Sequence, residues 1–243
     1  MTLAIAHRGE PVTHVENTLA AFGAAVAAGA DMIELDCRCS SDGRVVVVHD
    51  RTLQRIWGLD RAVAATGWAE IAALSSDGEH VPLLSEVLDA VGVGVMVDVS
   101  SIEVMPATHA EVARAGGGAL ARCVFVGDTE ALRWLRAEDP SVRIGLTWDR
   151  PELPPDELLA EIRPEWFNPD HRLATPAVIE AMHGRGLGVS TWTVDDEGEM
   201  SRLVDAGVEA VVTNRIAALV AVLGAQAAAS GDGGREGEGG VGG

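Results

Sequence analysis

The chain has 243 residues, with 18 Lys+Arg against 37 Asp+Glu, a formal net charge of −19 and 47% hydrophobic residues. This length suits one large α/β barrel or two smaller domains, and the apolar fraction is enough for a sizeable core. Because an acidic surface repels nucleic acid and anionic membranes, we expect a small-molecule partner, no nucleic acid and no stable membrane insertion. No oligomeric state is predicted.

The first residues, MTLAIAHRG, do not have the pattern of a signal peptide, since their apolar run is short and ends at His7. The longest apolar run, at 216–229, is too short to span a bilayer and predicts a packed final helix. These features predict a soluble cytoplasmic protein.

Short β-branched runs alternate along the chain with stretches rich in alanine and leucine, which is typical of a mostly parallel sheet covered by helices. The predicted strands cover 3–6, 32–35, 45–48, 94–99, 123–126, 143–147, 165–168, 187–194 and 209–213. The predicted helices cover 18–28, 84–91, 107–115, 130–137, 156–162, 176–184, 197–206 and 216–228. For the first helix, Asn17 is the predicted N-cap and Gly29 the predicted stop.

Only the segment CRCSSDGR joins the second and third predicted strands, which is too short for a parallel crossover. The third strand must therefore return antiparallel, around a turn at Asp42-Gly43. Eight parallel strands remain, the number in a (β/α)8 TIM barrel. The alternative is an open doubly wound sheet, but the first strand-to-helix turn lacks the glycine pattern of a dinucleotide site.

The domain prediction is one TIM barrel over 1–224, with a small insertion at about 50–83, followed by a tail over 225–243. The insertion is longer than an ordinary loop and contains Trp57 and Trp68. The glycine-rich tail is predicted to be disordered, because it cannot bury enough apolar surface to become ordered.

Polar side chains follow several of the predicted barrel strands, where the active sites of such barrels form. His7 and Arg8 end the first strand, Glu34 and Asp36 share one face of the second, and Asp98 lies near the end of another. If Asp42 and Gly43 are the two central turn residues, Asp36 faces His49 across the hairpin; a bulge would move this pairing by one residue.

Two neighbouring carboxylates repel each other unless a cation lies between them, and oxygen ligands at this spacing suit Mg²⁺ or Ca²⁺. Two histidines beside such a cation suit paired acid–base catalysis, and Arg8 suits an anionic phosphate oxygen. These residues favour metal-assisted phosphodiester cleavage, with another barrel lyase or hydrolase as the alternative.

Several motifs together resemble those of the glycerophosphodiester phosphodiesterases, in the superfamily of phospholipase C-like phosphodiesterase barrels. The matching segments are His7-Arg8-Gly9, Glu16-Asn17-Thr18, Glu34-Leu35-Asp36, Asp42-Gly43, Val47-Val48-His49-Asp50, the stretch VPLLSEVL at 81–88, TWTVD at 191–195 and GVEAVVTN at 207–214. They occur in the family's order over about 1–220.

The resemblance implies a TIM barrel that hydrolyses glycerophosphodiesters to sn-glycerol 3-phosphate and an alcohol. It implies His7 and His49 as the acid–base pair, Arg8 as a phosphate ligand, and a divalent metal ion on Glu34, Asp36 and Asp98. A glycerol hydroxyl would attack phosphorus first, giving a cyclic intermediate that water then opens. Trp192 either packs against the glycerol at the rim or fills the barrel interior.

The sequence departs from the family pattern on the strand that ends near Asp98. The family usually has Glu-x-Lys there, whereas this chain has Asp98-Val99-Ser100. Aspartate reaches about 1.5 Å less far than glutamate, and serine removes a cation that would help to hold phosphate. Two alternatives therefore stay open: a phospholipase D-like or lysophospholipid-cleaving relative, suggested by Trp57 and Trp68, and a non-catalytic phosphodiester-binding protein.

Overall fold

The computed structural model describes residues 1–116 and 118–232. The strands of the described residues are β1 (Leu3–His7), β2 (Met32–Cys39), β3 (Val45–Val47), β4 (Thr52–Leu53), β5 (Leu59–Ala62), β6 (Gly94–Val99), β7 (Cys123–Gly127), β8 (Arg143–Trp148), β9 (Trp166–Pro169), β10 (Gly188–Thr191) and β11 (Ala210–Thr213). The helices are α1 (Leu19–Ala27), α2 (Gln54–Trp57), α3 (Trp68–Ile71), α4 (Leu84–Ala90), α5 (Met105–Arg114), α6 (Ala119–Arg122), α7 (Thr129–Glu138), α8 (Asp156–Ile162), α9 (Pro176–His183), α10 (Glu197–Asp205) and α11 (Ile216–Asp232).

Eight parallel strands close into a barrel in the order β1-β2-β6-β7-β8-β9-β10-β11, and β11 pairs with β1 again. A helix follows each barrel strand before the next one begins. The predicted TIM barrel is therefore confirmed, and the alternative of an open doubly wound sheet is excluded because the sheet has no free parallel edge.

Side chains on the barrel strands alternate between two apolar layers. Residues facing outward, such as Ala4, Ile33 and Val97, pack against the helices, whereas Ile5, Met32 and Met96 fill the barrel interior. On the inward face of β1, β2 and β6, the residues after these apolar ones are titratable. The alternation that builds the core thus also brings the polar side chains to one mouth of the barrel.

The hairpin of β2 and β3 is antiparallel as predicted, but its register differs from the predicted one. Cys37 pairs with Val47, and Ser40 donates its backbone N–H to the Arg44 carbonyl at 2.9 Å. Three residues therefore form the loop instead of two, with Gly43 in the left-handed region at φ 79°. As a result Val48, not His49, lies across from Asp36.

The inserted segment packs on the outer side of this hairpin. Its β4 and β5 form a two-stranded sheet, and its apolar side chains make a small core with Val46 and Val48. Trp57 is buried in that core at 6% exposure, while Trp68 is half-buried.

Two predictions about helix ends are wrong. Thr18, not Asn17, caps α1, because its hydroxyl accepts the backbone N–H of Ala21. Helix α11 continues to Asp232, so the predicted tail over 225–243 begins inside a helix; the alanines at 227–229 favour helix propagation. Residues 233–243 lie outside the described part of the chain. No helix of the described residues is long and apolar enough to cross a membrane.

Gly9 provides a test of the turn after β1. Its φ is 87°, and a Cβ atom there would lie 2.6 Å from the backbone of Ala21. We expect Gly9→Ala to lower the free energy of unfolding by about 2 kcal/mol or more, from backbone strain and the clash. Chemical denaturation measures this value.

The matched control is Gly23→Ala on α1, the helix that carries Ala21, because a Cβ atom at Gly23 meets nothing within 4 Å. This substitution should raise stability by about 0.5–1 kcal/mol, since alanine favours a helix over glycine. Equal effects of the two substitutions would contradict the role assigned to Gly9.

Candidate functional site

Three carboxylates meet at the mouth of the barrel. Glu34 and Asp36 alternate on the inward face of β2, and the strand register places Asp98 of β6 directly beside Asp36. One oxygen from each of the three side chains lies within 4.8 Å of the other two. Glu34 is only 5% exposed. The shorter side chain of Asp98 therefore still reaches the group.

Gly127, at the end of β7, provides the room for Asp98. A Cβ atom at this glycine would lie 2.6 Å from the Asp98 Oδ1 atom and closer still to the Val99 carbonyl oxygen. Any larger residue would displace the carboxylate or the strand end behind it.

The electrostatics of the three carboxylates favour a bound cation. Burial, together with the charges of Asp36 and Asp98, raises the pKa of Glu34 well above its usual range. Burial and the neighbouring Asp36 raise the pKa of Asp98 to about 7. Both shifts arise because negative charge is crowded where little water can screen it. A divalent ion with oxygen ligands fits this donor set.

Arg8 and Asn17 bind the carboxylates from the first strand-to-helix loop. The backbone N–H of Arg8 donates to Glu34 Oε2 at 3.0 Å. Its guanidinium Nε lies 3.1 Å from Asp36 Oδ2, and its Nη1 lies 3.0 Å from Glu16 Oε1. The buried amide of Asn17 donates to Asp36 Oδ2 at 2.8 Å. Both residues have left-handed backbones, at φ 58° and 59°, which directs the loop toward the carboxylates.

His7 lies beside Glu34 with a fixed ring orientation. Its Nδ1 is 2.7 Å from Asn214 Oδ1, and the Asn214 amide nitrogen donates to Asp195 at 2.8 Å. The Asn214 oxygen must therefore accept, so the proton of neutral His7 is on Nδ1 and the lone pair is on Nε2. Burial, with a contribution from Arg8, lowers the pKa of His7 below its usual range.

His49 lines the same cavity as His7 and is more open to solvent, with 45% of its side chain exposed. Its Nδ1 is 2.8 Å from Asp50 Oδ1. Arg55 of the inserted segment binds that carboxylate through two nitrogens and lowers the pKa of Asp50 to about 2. Asp50 is thus an anion at neutral pH, and it fixes the imidazole with Nδ1–H as the donor.

The sequence left two positions open for Trp192, at the rim of the barrel or in its interior, and the structure places it at both. Its indole N–H donates to the Asn168 carbonyl at 2.9 Å, and its ring is half-buried against the apolar interior of the barrel. The same ring lines the mouth. Trp192 therefore closes the inside of the site and also contacts its open space.

One cavity of about 200 Å³ contains the whole group. All the predicted site residues line it: His7, Arg8, Glu34, Asp36, His49, Asp98 and Trp192. Other residues of this site were not predicted from the sequence: Thr147 and Asn168 in the wall, and Asn17, Asp50, Arg55, Asp195 and Asn214 behind it. Thr147, Asn168 and Asn214 lie at or just after the carboxyl ends of barrel strands, a signal that could have identified them.

Comparisons with known proteins agree with the family resemblance of the sequence motifs. The model of the "Glycerophosphoryl diester phosphodiesterase family" matches residues 7–218. A "Glycerophosphodiester phosphodiesterase" of Caldanaerobacter subterraneus subsp. tengcongensis is 29% identical over 229 residues, which cover 88% of this chain and 94% of that protein.

Two solved structures have the same fold. The glycerophosphodiester phosphodiesterase of Agrobacterium tumefaciens is 26% identical, with a TM-score of 0.80, covering 92% of this chain and 100% of that one. A phosphodiesterase of Oleispira antarctica, solved in complex with the product sn-glycerol-3-phosphate, is 22% identical, with a TM-score of 0.85 and coverage of 90% and 96%.

The three carboxylates lead to a prediction about metal affinity that can be tested without catalytic turnover. Glu34→Gln should weaken the binding of Mg²⁺, Ca²⁺ or Mn²⁺ by about 10- to 100-fold, because a charged ligand is replaced by an amide. Without metal, the variant should be at least as stable as the wild type, since a buried charge is removed. Isothermal titration calorimetry and thermal unfolding measure the two effects.

Glu161→Gln is the matched control, because Glu161 is exposed on α8 and pairs with Arg133. It changes the net charge by the same amount, far from the mouth of the barrel, and should leave metal affinity unchanged. Equal affinities of both variants and the wild type would refute a cation site at Glu34.

Proposed function

The chain belongs to the glycerophosphoryl diester phosphodiesterase family and is an enzyme that hydrolyses glycerophosphodiesters; we propose that His7 and His49 are its acid–base pair and that the products are sn-glycerol 3-phosphate and an alcohol. We further propose that Glu34, Asp36 and Asp98 hold one divalent ion, Mg²⁺ or Ca²⁺, that Arg8 binds phosphate and that Trp192 contacts the glycerol.

One observation supports this proposal above the others. Two imidazoles line the cavity of the three carboxylates, and each has its Nδ1 fixed by a neighbour, Asn214 for His7 and Asp50 for His49. In both rings Nε2 is the nitrogen left for a substrate. Two histidines oriented in this way can remove one proton and deliver another, as phosphodiester cleavage requires.

The two histidines have different environments, which favours different roles. His7 is the more buried ring and has a lowered pKa, so its Nε2 can accept the proton of the attacking glycerol hydroxyl. His49 faces the open side, where the leaving alcohol departs, and donates a proton to its oxygen. When water opens the cyclic phosphodiester, the same two residues exchange roles.

The carboxylates and Arg8 line the same cavity as the two histidines and would act on the phosphate of a bound substrate. A divalent ion, when bound, withdraws electron density from the phosphoryl oxygens and neutralises the carboxylates. Arg8 lies at the edge of this group, where its guanidinium is fixed by Glu16 and Asp36. A fixed cation needs little reorganisation as charge develops on the phosphate.

The two alternatives, a phospholipase D-like or lysophospholipid-cleaving enzyme and a non-catalytic phosphodiester-binding protein, gain little support. The lysophospholipid alternative rested on Trp57 and Trp68, but Trp57 is buried and Trp68 is half-buried, so neither ring is fully exposed for an acyl chain. The cavity of about 200 Å³ suits a small ligand. A binding protein without catalysis would not need two histidines with fixed tautomers.

The remaining proposals rest on sequence. We propose that 1–224 act as one catalytic domain and that the enzyme acts on small-molecule substrates in the cytoplasm. The charge of −19 opposes binding to nucleic acid.

His7→Ala and His49→Ala should each lower kcat by about 10² to 10⁴-fold, because each removes one proton-transfer group. Release of glycerol 3-phosphate from glycerophosphoethanolamine, followed with a coupled dehydrogenase, measures the rate. His183→Ala is the matched control, since His183 pairs with Glu209 at the opposite end of the barrel. Full activity of either site variant would overturn the proposed roles.

Chelation should also stop the reaction. We expect EDTA to abolish hydrolysis and a single species among Mg²⁺, Ca²⁺ and Mn²⁺ to restore it best, because the three ions differ in preferred size and coordination number. Titrating each ion into the chelated enzyme gives the order. Undiminished activity in EDTA, with metal removal confirmed by elemental analysis, would contradict the metal site.

A further inference from the structure

A second cavity adjoins the mouth of the barrel on the side of His49. It has a volume of about 200 Å³ and is lined by Asp36, Arg38, His49, Asp98 and Ser100, among others. Asp36, His49 and Asp98 also line the main cavity. The two spaces therefore meet at the proposed leaving-group histidine and two of the proposed metal ligands.

A third cavity, of about 410 Å³, continues outward from the second. It shares Arg38 and Ser100 with the second cavity and is otherwise lined by residues including Arg51, Val63, Glu103 and Val104. Its walls come from the inserted segment and from the loop after β6. We call the second and third cavities together the side groove.

The outer cavity of the side groove is lined by two arginines, Arg38 and Arg51, and neither forms an ion pair within the described residues. The inner cavity also contains Asp36 and Asp98, the proposed metal ligands, whose charges a bound divalent ion would neutralise. Arg38 donates from Nε and Nη2 only to the carbonyl oxygen of His49, a neutral acceptor. Arg51 is exposed, and within the described residues it forms no ion pair. By contrast, Arg8 and Arg55 are paired with carboxylates.

Glu103, which is exposed, is the carboxylate of the outer cavity, so the two arginines outnumber it there. This excess is local, because the chain as a whole carries a charge of −19. An anion is therefore attracted to the outer cavity of the side groove and repelled by most of the remaining surface.

Ser100 accounts for the open space. The family pattern has a lysine at this position, and this chain contains no lysine anywhere. A serine leaves room beside Asp98, while Arg38, two residues after Asp36 on the same face of β2, supplies a cation from the neighbouring strand.

We propose that the side groove binds the alcohol part of the substrate, and that Arg38 and Arg51 select glycerophosphodiesters whose alcohol carries a phosphate or carboxylate over those with a cationic alcohol. This inference rests on the proposed function. In the proposed function, the phosphorus atom of the substrate is placed beside the three carboxylates, and His49 protonates the leaving oxygen. Because His49 lines both the main cavity and the groove, an alcohol leaving past it enters the groove.

The test compares two substrates that differ by one phosphate, glycerophosphoglycerol and glycerophosphoglycerol phosphate. We expect the wild type to have a kcat/KM about 5- to 10-fold higher for the phosphorylated compound, and this ratio should fall with added NaCl. Arg51→Gln should lower the ratio at least about 3-fold. Arg51→Glu should also raise kcat/KM for glycerophosphocholine relative to glycerophosphoglycerol, an inversion that loss of structure would not produce.

Arg44→Gln is the matched control. Arg44 directly follows the loop of the β2–β3 hairpin, is exposed, and does not line the groove. This substitution removes the same charge and should leave the ratio unchanged. A ratio near one in the wild type, or a ratio that Arg51→Gln and Arg51→Glu leave unchanged, would overturn the role of the side groove while leaving the proposed function intact.

Failure of the proposed function gives a different result. If the wild type with metal hydrolyses none of these compounds, the proposed function is wrong. Calorimetric dissociation constants of the two glycerophosphoglycerol compounds then decide the groove proposal separately. Tighter binding of the phosphorylated compound, weakened by Arg51→Gln, supports it, and equal or weaker binding refutes it.

Discussion

Repulsion among three carboxylates is the constraint on which the rest of the site depends. The register of β2 and β6 fixes the backbone positions of Glu34, Asp36 and Asp98, so all three side chains start from the same end of the barrel. Burial makes their charge costly, as the raised pKa values of Glu34 and Asp98 indicate. The surrounding groups lower this cost: a guanidinium, an asparagine amide and a backbone N–H point at them. A bound divalent ion would neutralise the negative charge that remains on the three carboxylates.

The inserted segment belongs to this electrostatic arrangement. Arg8 pairs with Glu16, Glu16 with Arg55, and Arg55 with Asp50, which orients His49. This chain of contacts runs from the first barrel loop through the insertion to the return strand. The two sides of the mouth are therefore linked by alternating charges, and the position of His49 depends on residues that are distant in sequence. Networks of this kind fix side chains more firmly than isolated surface pairs do.

Much of the site could be predicted because it follows from local rules. Glu34 and Asp36 share a face through the alternation of a strand, and His7 and Asp98 lie at the carboxyl ends of parallel strands, where barrel sites form. Other predictions were wrong for local reasons. The hairpin register depended on whether Gly43 ended a two-residue or a three-residue loop, and the N-cap depended on which of two adjacent polar residues turned toward α1. Neither choice changes the apolar pattern, so the pattern could not decide it.

The sequence by itself determined the barrel, the antiparallel return strand and the residues that gather at the mouth, because strand count, alternation and connection length leave few other topologies. Only the tertiary structure decided what those residues contact. The pairing of His7 with Asn214, of Asp36 with Asn17 and of Asp50 with Arg55 joins segments that are separate along the chain. Whether a hydrogen bond or ion pair forms depends on differences of a few tenths of an ångström in the distance between the two groups. Packing of the whole barrel sets these distances, and no local sequence pattern does. The side groove beside Ser100 exists for the same reason, since its walls come from three separate parts of the chain.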